Sequence, residues 1–388
     1  MKRKSGNFIL KKVTGEHYKA YVPYKLPPHP SIDLENLYPF LEKATRALAE
    51  LDAIHKTIPN TSLFLYMYVR KEALLSSQIE GTQSSFSDLM LFEHNEKPQV
   101  SLDDVEEVSN YVKAIHFGLT RLEEGFPLSL RLLKDIHAIL LSGGRGSTKL
   151  PGEFRTSQNW IGGTRPGNAL FVPPPIEELM QCLSDFELFL HDEDLPVLVK
   201  AGLAHVQFET IHPFLDGNGR LGRLLITLLL CHEKILQQPV LYFSLYLKQN
   251  RHLYYNLLQE VRISGTFETW LEFFLEGITK SAHQGVKTIS DINTLFYKDE
   301  AKIRILGRQR FSCGEIFEFL KTLPQVSVHL IQKKLNMTAP TARNGLNKLL
   351  GLGIVEEVTF KKRDKVYVYK KYLNMLEEGA DPLNYSNK

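Results

Sequence analysis

Ile211-His212-Pro213-Phe214-Leu215-Asp216-Gly217-Asn218-Gly219-Arg220-Leu221-Gly222-Arg223 lies between two apolar, helix-compatible segments, and its reading decides the fold. Val197 to Thr210 forms the first segment, with Ala201, Ala204, His205 and Phe208 at helical spacing. The second runs from Leu221 to Leu230. Pro213 stops the first helix at His212, because its ring clashes with the preceding turn and offers no N–H. Gly217-Asn218-Gly219 reaches backbone conformations closed to larger residues, so its N–H groups can form a concave anion site where the next helix begins. Arg220 and Arg223, three apart, project from one face of that helix. Two guanidinium groups beside such a nest suit a polyphosphate. Asp216 adds an oxygen ligand for the magnesium ion that accompanies one, and His212 is the group that could take a proton from an attacking hydroxyl.

The string fills every fixed position of the signature His-Pro-Phe-x-Asp-Gly-Asn-Gly-Arg-x-x-Arg and so resembles the Fic-domain proteins. That resemblance implies transfer of AMP from ATP to a hydroxyl side chain (Ser, Thr or Tyr) of a target protein. In its terms His212 is the general base and Asp216 the Mg2+ ligand. Gly217, Asn218 and Gly219 cradle the phosphates, Arg220 and Arg223 hold their tail, and Phe214 anchors the loop. Upstream, Ser76-Ser77-Gln78-Ile79-Glu80-Gly81 closes a helix expected from Ser62 to Gln78, with Gly81 as its stop. It resembles the inhibitory Ser/Thr-x-x-x-Glu-Gly/Asn motif of many Fic proteins, carried by Ser76, Glu80 and Gly81. A carboxylate of Glu80 on Arg223 would occupy the place of the ATP γ-phosphate.

Around this centre the chain of 388 residues reads as several domains, with apolar and charged fractions of 43% and 23% that fit a globular protein. The expected architecture is mainly α: a helical Fic core with a small β-hairpin flap, then a C-terminal winged helix-turn-helix. Domains are expected at 1–100 (arm and helices with the inhibitory motif), 101–280 (Fic catalytic domain), 281–300 (linker), 301–375 (winged helix-turn-helix) and 376–388 (tail). Residues 1–40, rich in Pro, Tyr and Lys, read as an extended arm. No run approaches the roughly twenty apolar residues of a membrane span, and the basic start lacks the apolar stretch of a signal peptide. Cys182, Cys231 and Cys313, three widely spaced cysteines, fit neither a disulfide framework nor a zinc site. A cytoplasmic location is therefore expected.

Extended pieces on either side of 162–168 predict the flap, at about 153–173. Its resemblance to the Fic flap implies an edge that pairs with the target's backbone. Asn250 to Leu258 resembles the family's Tyr-Tyr helix on the adenine side, with Tyr254, Tyr255 and Leu258 as candidates there or as core. Arg262 stands where some family members place an asparagine. His205 is read as a satisfied core histidine.

Residues 301–372 hold fifteen Lys or Arg against five Asp or Glu, a balance of +10 that leaves −7 for the rest of a chain at +3. Helices at Cys313–Leu323, Ser327–Leu335 and Thr338–Leu350, strands at Ile354–Phe360 and Val366–Tyr369, and a basic turn between the strands resemble a winged helix-turn-helix. DNA binding through 301–372, with Arg343, Asn344, Asn347 and Lys348 presented to it, and homodimerisation through the same module are its two expected uses. Two alternatives to autoinhibited AMP transfer stay open. One is a DNA-binding regulator whose Fic domain senses nucleotide. The other is a Fic enzyme with a different donor, or one that runs the reverse hydrolysis.

Overall fold

A computed structural model describes residues 3–13, 15–55, 61–93, 100–358 and 365–381. The chain divides into two compact units, one of residues up to 53 and 68–283, the other of 54–67 and 284–381.

The first unit is organised by α7 (Val197–Ile211) and α8 (Asn218–His232). Every residue of α7 from Leu198 to Ile211 is buried, as is α8 from Arg220 to Leu230. A helix buried on all sides belongs at the centre of a bundle, and these two occupy that centre. Around them lie α1 (Leu34–His55), α2 (Thr61–Ile79), α3 (Phe86–Glu93), α4 (Leu102–Glu123), α5 (Leu130–Leu140) and α6 (Ile176–Leu190). The short α9 (Ser244–Gln249), α10 (Arg251–Ser264) and the start of α11 (Phe267–Arg304) complete the bundle. Helix α4 packs on α5 and α8, and α6 on α7. Trp270 of α11 is fully buried and donates its indole N–H to the Gly202 carbonyl at 2.8 Å. Gly202 has to lack a side chain there, since a Cβ would lie 2.8 Å from Leu271 and 3.1 Å from Phe274.

The N-terminal arm is not simply extended. It folds into an antiparallel hairpin of β1 (Gly6–Val13) and β2 (Glu16–Pro23), in register from Gly6↔Pro23 to Val13↔Glu16. On the far edge of β2 the Tyr21 N–H donates to the Val172 carbonyl at 2.9 Å, and Tyr18 and Ala20 pack against Val172. The expected flap hairpin, by contrast, shrinks to a single antiparallel bridge, Ile161↔Phe171. Gly162 and Gly163 turn the chain with φ of +69° and +71°, and Pro166–Asn168 closes a short turn. That leaves no room for a longer ladder.

In the second unit, α12 (Arg310–Thr322), α13 (Val328–Leu335) and α14 (Ala339–Gly351) are followed by a sheet. Its strands β3 (Gln325–Ser327), β4 (Glu356–Glu357) and β5 (Val366–Val368) are antiparallel in the order β3-β5-β4. Ser327 and Thr338 cap α13 and α14 through their hydroxyls. Two elements went unforeseen: β3, a third strand ahead of α13, and α15 (Lys370–Glu377), which runs from the expected winged-helix domain into the expected tail. The segment 281–300, expected as a linker, is helical within α11. The basic turn at 361–364 lies outside the described residues.

Replacing Trp270 by Ala removes the largest buried ring and leaves the Gly202 carbonyl without its donor. The expected loss is about 3–5 kcal/mol, measured as the shift of the urea unfolding midpoint of the full chain.

Candidate active site

Helix α7 ends at His212, whose backbone is left-handed (φ 48°, ψ 62°) and whose N–H still reaches the Phe208 carbonyl at 2.9 Å. Such a conformation in a non-glycine residue is held by its surroundings, and here the holders are visible. Arg155 donates from Nε to the His212 carbonyl at 3.0 Å, and its main-chain N–H donates to Pro213 at 2.9 Å. The Asn159 side-chain amide donates to the carbonyls of His212 and Phe214, at 3.2 and 2.9 Å. Asn218 ties the loop back on itself: its Oδ1 accepts from Phe214 N–H at 2.9 Å and its Nδ2 donates to Phe214 O at 2.8 Å.

Phe214 is fully buried and stacked on His137, ring centroids 3.7 Å apart. His137 fastens the loop to the segment after α5. Its Nδ1 accepts from the Gly152 N–H at 2.8 Å, so Nε2 carries the proton and donates to the Asp216 carbonyl at 3.0 Å. Burial pushes this imidazole down to about 4, which keeps it neutral in that role.

Gly217, at φ +74°, starts α8. Asp216 projects there with its side chain 42% exposed. Its Oδ1 accepts from Gly217 N–H at 2.6 Å and lies 3.6 Å from Arg220 Nη2. Among the described residues no three His, Cys, Asp or Glu side chains gather as a metal site. One half-exposed carboxylate fits a magnesium ion that keeps waters and phosphate oxygens as its other ligands.

The two arginines are buried. Arg220 faces Glu107 at 3.5 Å, and its Nε and Nη1 have no hydrogen-bond partner among the described residues. Arg223 is enclosed by the end of α2. Its Nε donates to Ser76 Oγ at 2.9 Å, and Nη2 donates to the Ser76 carbonyl at 2.9 Å and to Glu80 Oε1 at 2.7 Å. Burial pushes the Glu80 carboxyl up, but Arg223, helped by Arg220 and Arg251, more than reverses this and holds it below the usual range. Gly81, at φ +106°, ends α2 just beyond. The Glu80 carboxylate presses on the start of α8 so closely that a Cβ on Gly219 would lie 2.3 Å from Glu80 Oε1.

Residues 127–230 match the Fic/DOC family, and residues 38–120 match the Fic/DOC family N-terminal region. This chain carries a Fic/DOC domain. It is 31% identical over 180 residues to a protein adenylyltransferase Fic of Culex quinquefasciatus and 32% identical over 181 residues to one of Aedes aegypti. Each alignment covers 45% of this chain and 33% of the relative, so the chain matches about a third of the length of these curated proteins. A solved Fic family protein from Desulfovibrio desulfuricans G20 shares the fold, with a TM-score of 0.54 at 20% identity over 84% of this chain and 95% of that one.

Within this Fic domain the candidates near α10 fall in different places. Tyr254 is fully buried, its hydroxyl donating to His205 Nε2 at 2.8 Å while His205 Nδ1 donates to the Gly222 carbonyl at 2.9 Å. Leu258 is buried too, and only Tyr255 reaches the surface, with the Arg251 guanidinium 5.1 Å from its ring centroid. Arg262 lies inward, 3.9 Å over the Phe171 ring, and donates to Thr210 Oγ1 at 3.1 Å and the Glu209 carbonyl at 3.0 Å. At the flap, Leu170 is exposed and Trp160 partly so. His137, Arg155, Asn159 and Glu209 were not anticipated. Each is one polar residue in an otherwise ordinary helix or loop, and only the folded geometry brings them together. Among the described residues no helix is long and apolar enough to cross a membrane.

Burial pushes His205 down to about 4, so the folded state binds its proton less readily than the unfolded chain. Its stabilising share is present above pH 6.5 and is lost as pH falls towards 4. Glu72 and Glu209, pushed up by burial to about 7, run the opposite way, so the readable quantity is a difference. Between pH 6.5 and 4, the urea midpoint of His205→Gln is expected to depend on pH less steeply than that of the parent, by up to about one proton.

Proposed function

We propose that this chain is a protein adenylyltransferase that moves AMP from ATP to a hydroxyl side chain of a protein and is held in check by Glu80. The observation that carries this reading is the 212–223 loop, with a neutral imidazole on one side and two buried guanidiniums at a helix N-terminus on the other. The names of the insect relatives support the same activity.

In the proposed reaction the hydroxyl oxygen attacks the α-phosphorus and its proton passes to His212 Nε2. The bond from that phosphorus to the oxygen bridging to the β-phosphate breaks, and pyrophosphate leaves. Burial, with Arg262 and Arg155 nearby, pushes His212 down to about 3, so the imidazole is neutral and has a lone pair at physiological pH. The α8 N-terminus, through Gly217, Asn218 and Gly219, meets the phosphates with N–H groups and a favourable dipole. Arg220, with donors to spare, and Arg223 bind the phosphate tail. Asp216 would hold Mg2+, which supplies charge neutralisation on the phosphates. Tyr255 offers the accessible aromatic face on the adenine side. The segment 153–173 receives the target, with exposed Leu170 and Trp160 as its contact points.

Inhibition follows from competition for Arg223. The Nε and Nη2 donors of this guanidinium are engaged by Ser76 and Glu80, so a γ-phosphate that needs them displaces a charge-assisted bond. In the presence of magnesium, incorporation of α-labelled ATP into protein is expected to rise roughly tenfold or more in Glu80→Gly, equivalent to at least ~1.4 kcal/mol. It is expected to fall by about 10²–10⁴ in His212→Ala. Absence of label in parent and Glu80→Gly alike would overturn the reading.

The C-terminal unit supports a second role. Arg343, Asn344, Asn347 and Lys348 are all exposed along α14, a face that suits a DNA groove if the unit is a winged helix-turn-helix. If so, duplex affinity falls steeply with salt, and Arg343→Ala with Lys348→Ala lowers the slope of log K against log salt by about 2.

A further inference from the structure

Glu209 lies on the last turn of α7, three residues before His212. Its side chain is 6% exposed, and its Oε1 has no hydrogen-bond partner among the described residues. A buried carboxylate oxygen left in that condition costs free energy, so its place calls for a reason. His212 Nδ1 is likewise buried without a partner among the described residues, and it sits 3.9 Å from Glu209 Oε2.

The other charged groups around the pair are engaged elsewhere. Arg262 spends its donors on the Glu209 main-chain carbonyl, Thr210 and Gln259. Arg223 is bound to Ser76 and Glu80, and Arg155 to main-chain carbonyls. His212 Nδ1, able to donate, therefore faces the Glu209 carboxylate through Oε2 at 3.9 Å, while Oε1 of the same carboxylate lies against Gly222. A shift of about 1 Å brings Nδ1 and Oε2 to hydrogen-bond distance.

We propose that Glu209 is a positioning residue that accepts the Nδ1 proton of His212, holding the tautomer whose free lone pair is on Nε2 and stabilising the imidazolium formed when Nε2 takes the substrate proton. No proton is transferred to Glu209. The Nδ1–H bond stays intact, and the carboxylate faces the new positive charge.

The electrostatics support this role. Arg262 and Arg155 both oppose a second proton on His212, while the Glu80 carboxylate and the Glu209 main chain favour it. A base that burial and two guanidiniums have pushed down to about 3 accepts a proton poorly. The Glu209 carboxylate, 3.9 Å from Nδ1, is placed to add to that support when the imidazolium forms. Burial pushes Glu209 up to about 7 against the pull of Arg223 and Arg262, with Glu80 adding to the rise. The bond is therefore strongest above that pH, where Glu209 is ionised.

The inference rests on the proposed AMP transfer for its catalytic meaning, and two readouts keep the two apart. The first is imidazole 15N NMR of the full chain at pH 8.5, with His212 assigned from a His212→Gln spectrum. The parent is expected to show the Nδ1–H tautomer, and Glu209→Leu, which keeps the volume and removes the acceptor, is expected to lose it. The same tautomer in both proteins overturns the proposal, whether or not either labels a target. The second is labelling from α-labelled ATP in a Glu80→Gly background. Glu209→Gln is expected to lower kcat about 10- to 100-fold with KM for ATP within about twofold, and Glu209→Asp to recover part of the loss. Between pH 6 and 9 the kcat profile of the Gln variant is expected to lose the rise that ionisation of Glu209 gives the parent. An unchanged kcat, or a matching rise in KM, counts against Glu209. Absent label in the Glu80→Gly parent would count against AMP transfer and leave the NMR result to decide the contact.

Discussion

A guanidinium taken out of water has to be met by partners at fixed positions, and Arg223, with 1% of its side chain exposed, is the group around which the first unit is fitted. Its five N–H donors are rigid and planar, so the acceptors must come to them. The end of α2 does this with one hydroxyl, one main-chain carbonyl and one carboxylate, all from Ser76 and Glu80. Helix α2 can offer that surface because its last nine residues, Lys71 to Ile79, are all buried, Ser76, Ser77 and Gln78 included. It is secured elsewhere by Glu72, which accepts from the Ser244 N–H at 3.0 Å, and by Gln78, which accepts from Lys248 at 2.7 Å. The loop 212–217 is held with equal care from the other side by Arg155, Asn159 and His137.

Much of this was legible in the sequence because it depends on neighbours along the chain. Pro213 stopping a helix, Gly217 opening the next and Arg220 and Arg223 on one face are local statements, and so is Gly81 at the end of α2. The capping roles of Ser129 and Thr338 belong to the same class. What escaped was set by distant contacts. The hairpin β1–β2 carries Lys and Tyr among its apolar residues, so its alternation is blurred, and its β2 edge is completed by Val172. The flap showed extended character, but two left-handed glycines and Pro166 reduced it to one bridge. Tyr254 was open between core and ligand side, and the choice depended on His205, 49 residues away.

The absent side chain at position 219 has a wider meaning. A Cβ there would meet Glu80 at 2.3 Å, so one small volume is shared by the backbone that would receive phosphate and the carboxylate that would exclude it. On the proposed reading, these two occupants form a single equilibrium, and nucleotide affinity measures how firmly the end of α2 stays seated. Loosening that helix at Glu72 or Gln78 would shift the balance in the same direction as removing the Glu80 carboxylate. The enzyme would then read the mechanical state of one helix as a chemical signal, and anything that pulled on α2 would act as its activator.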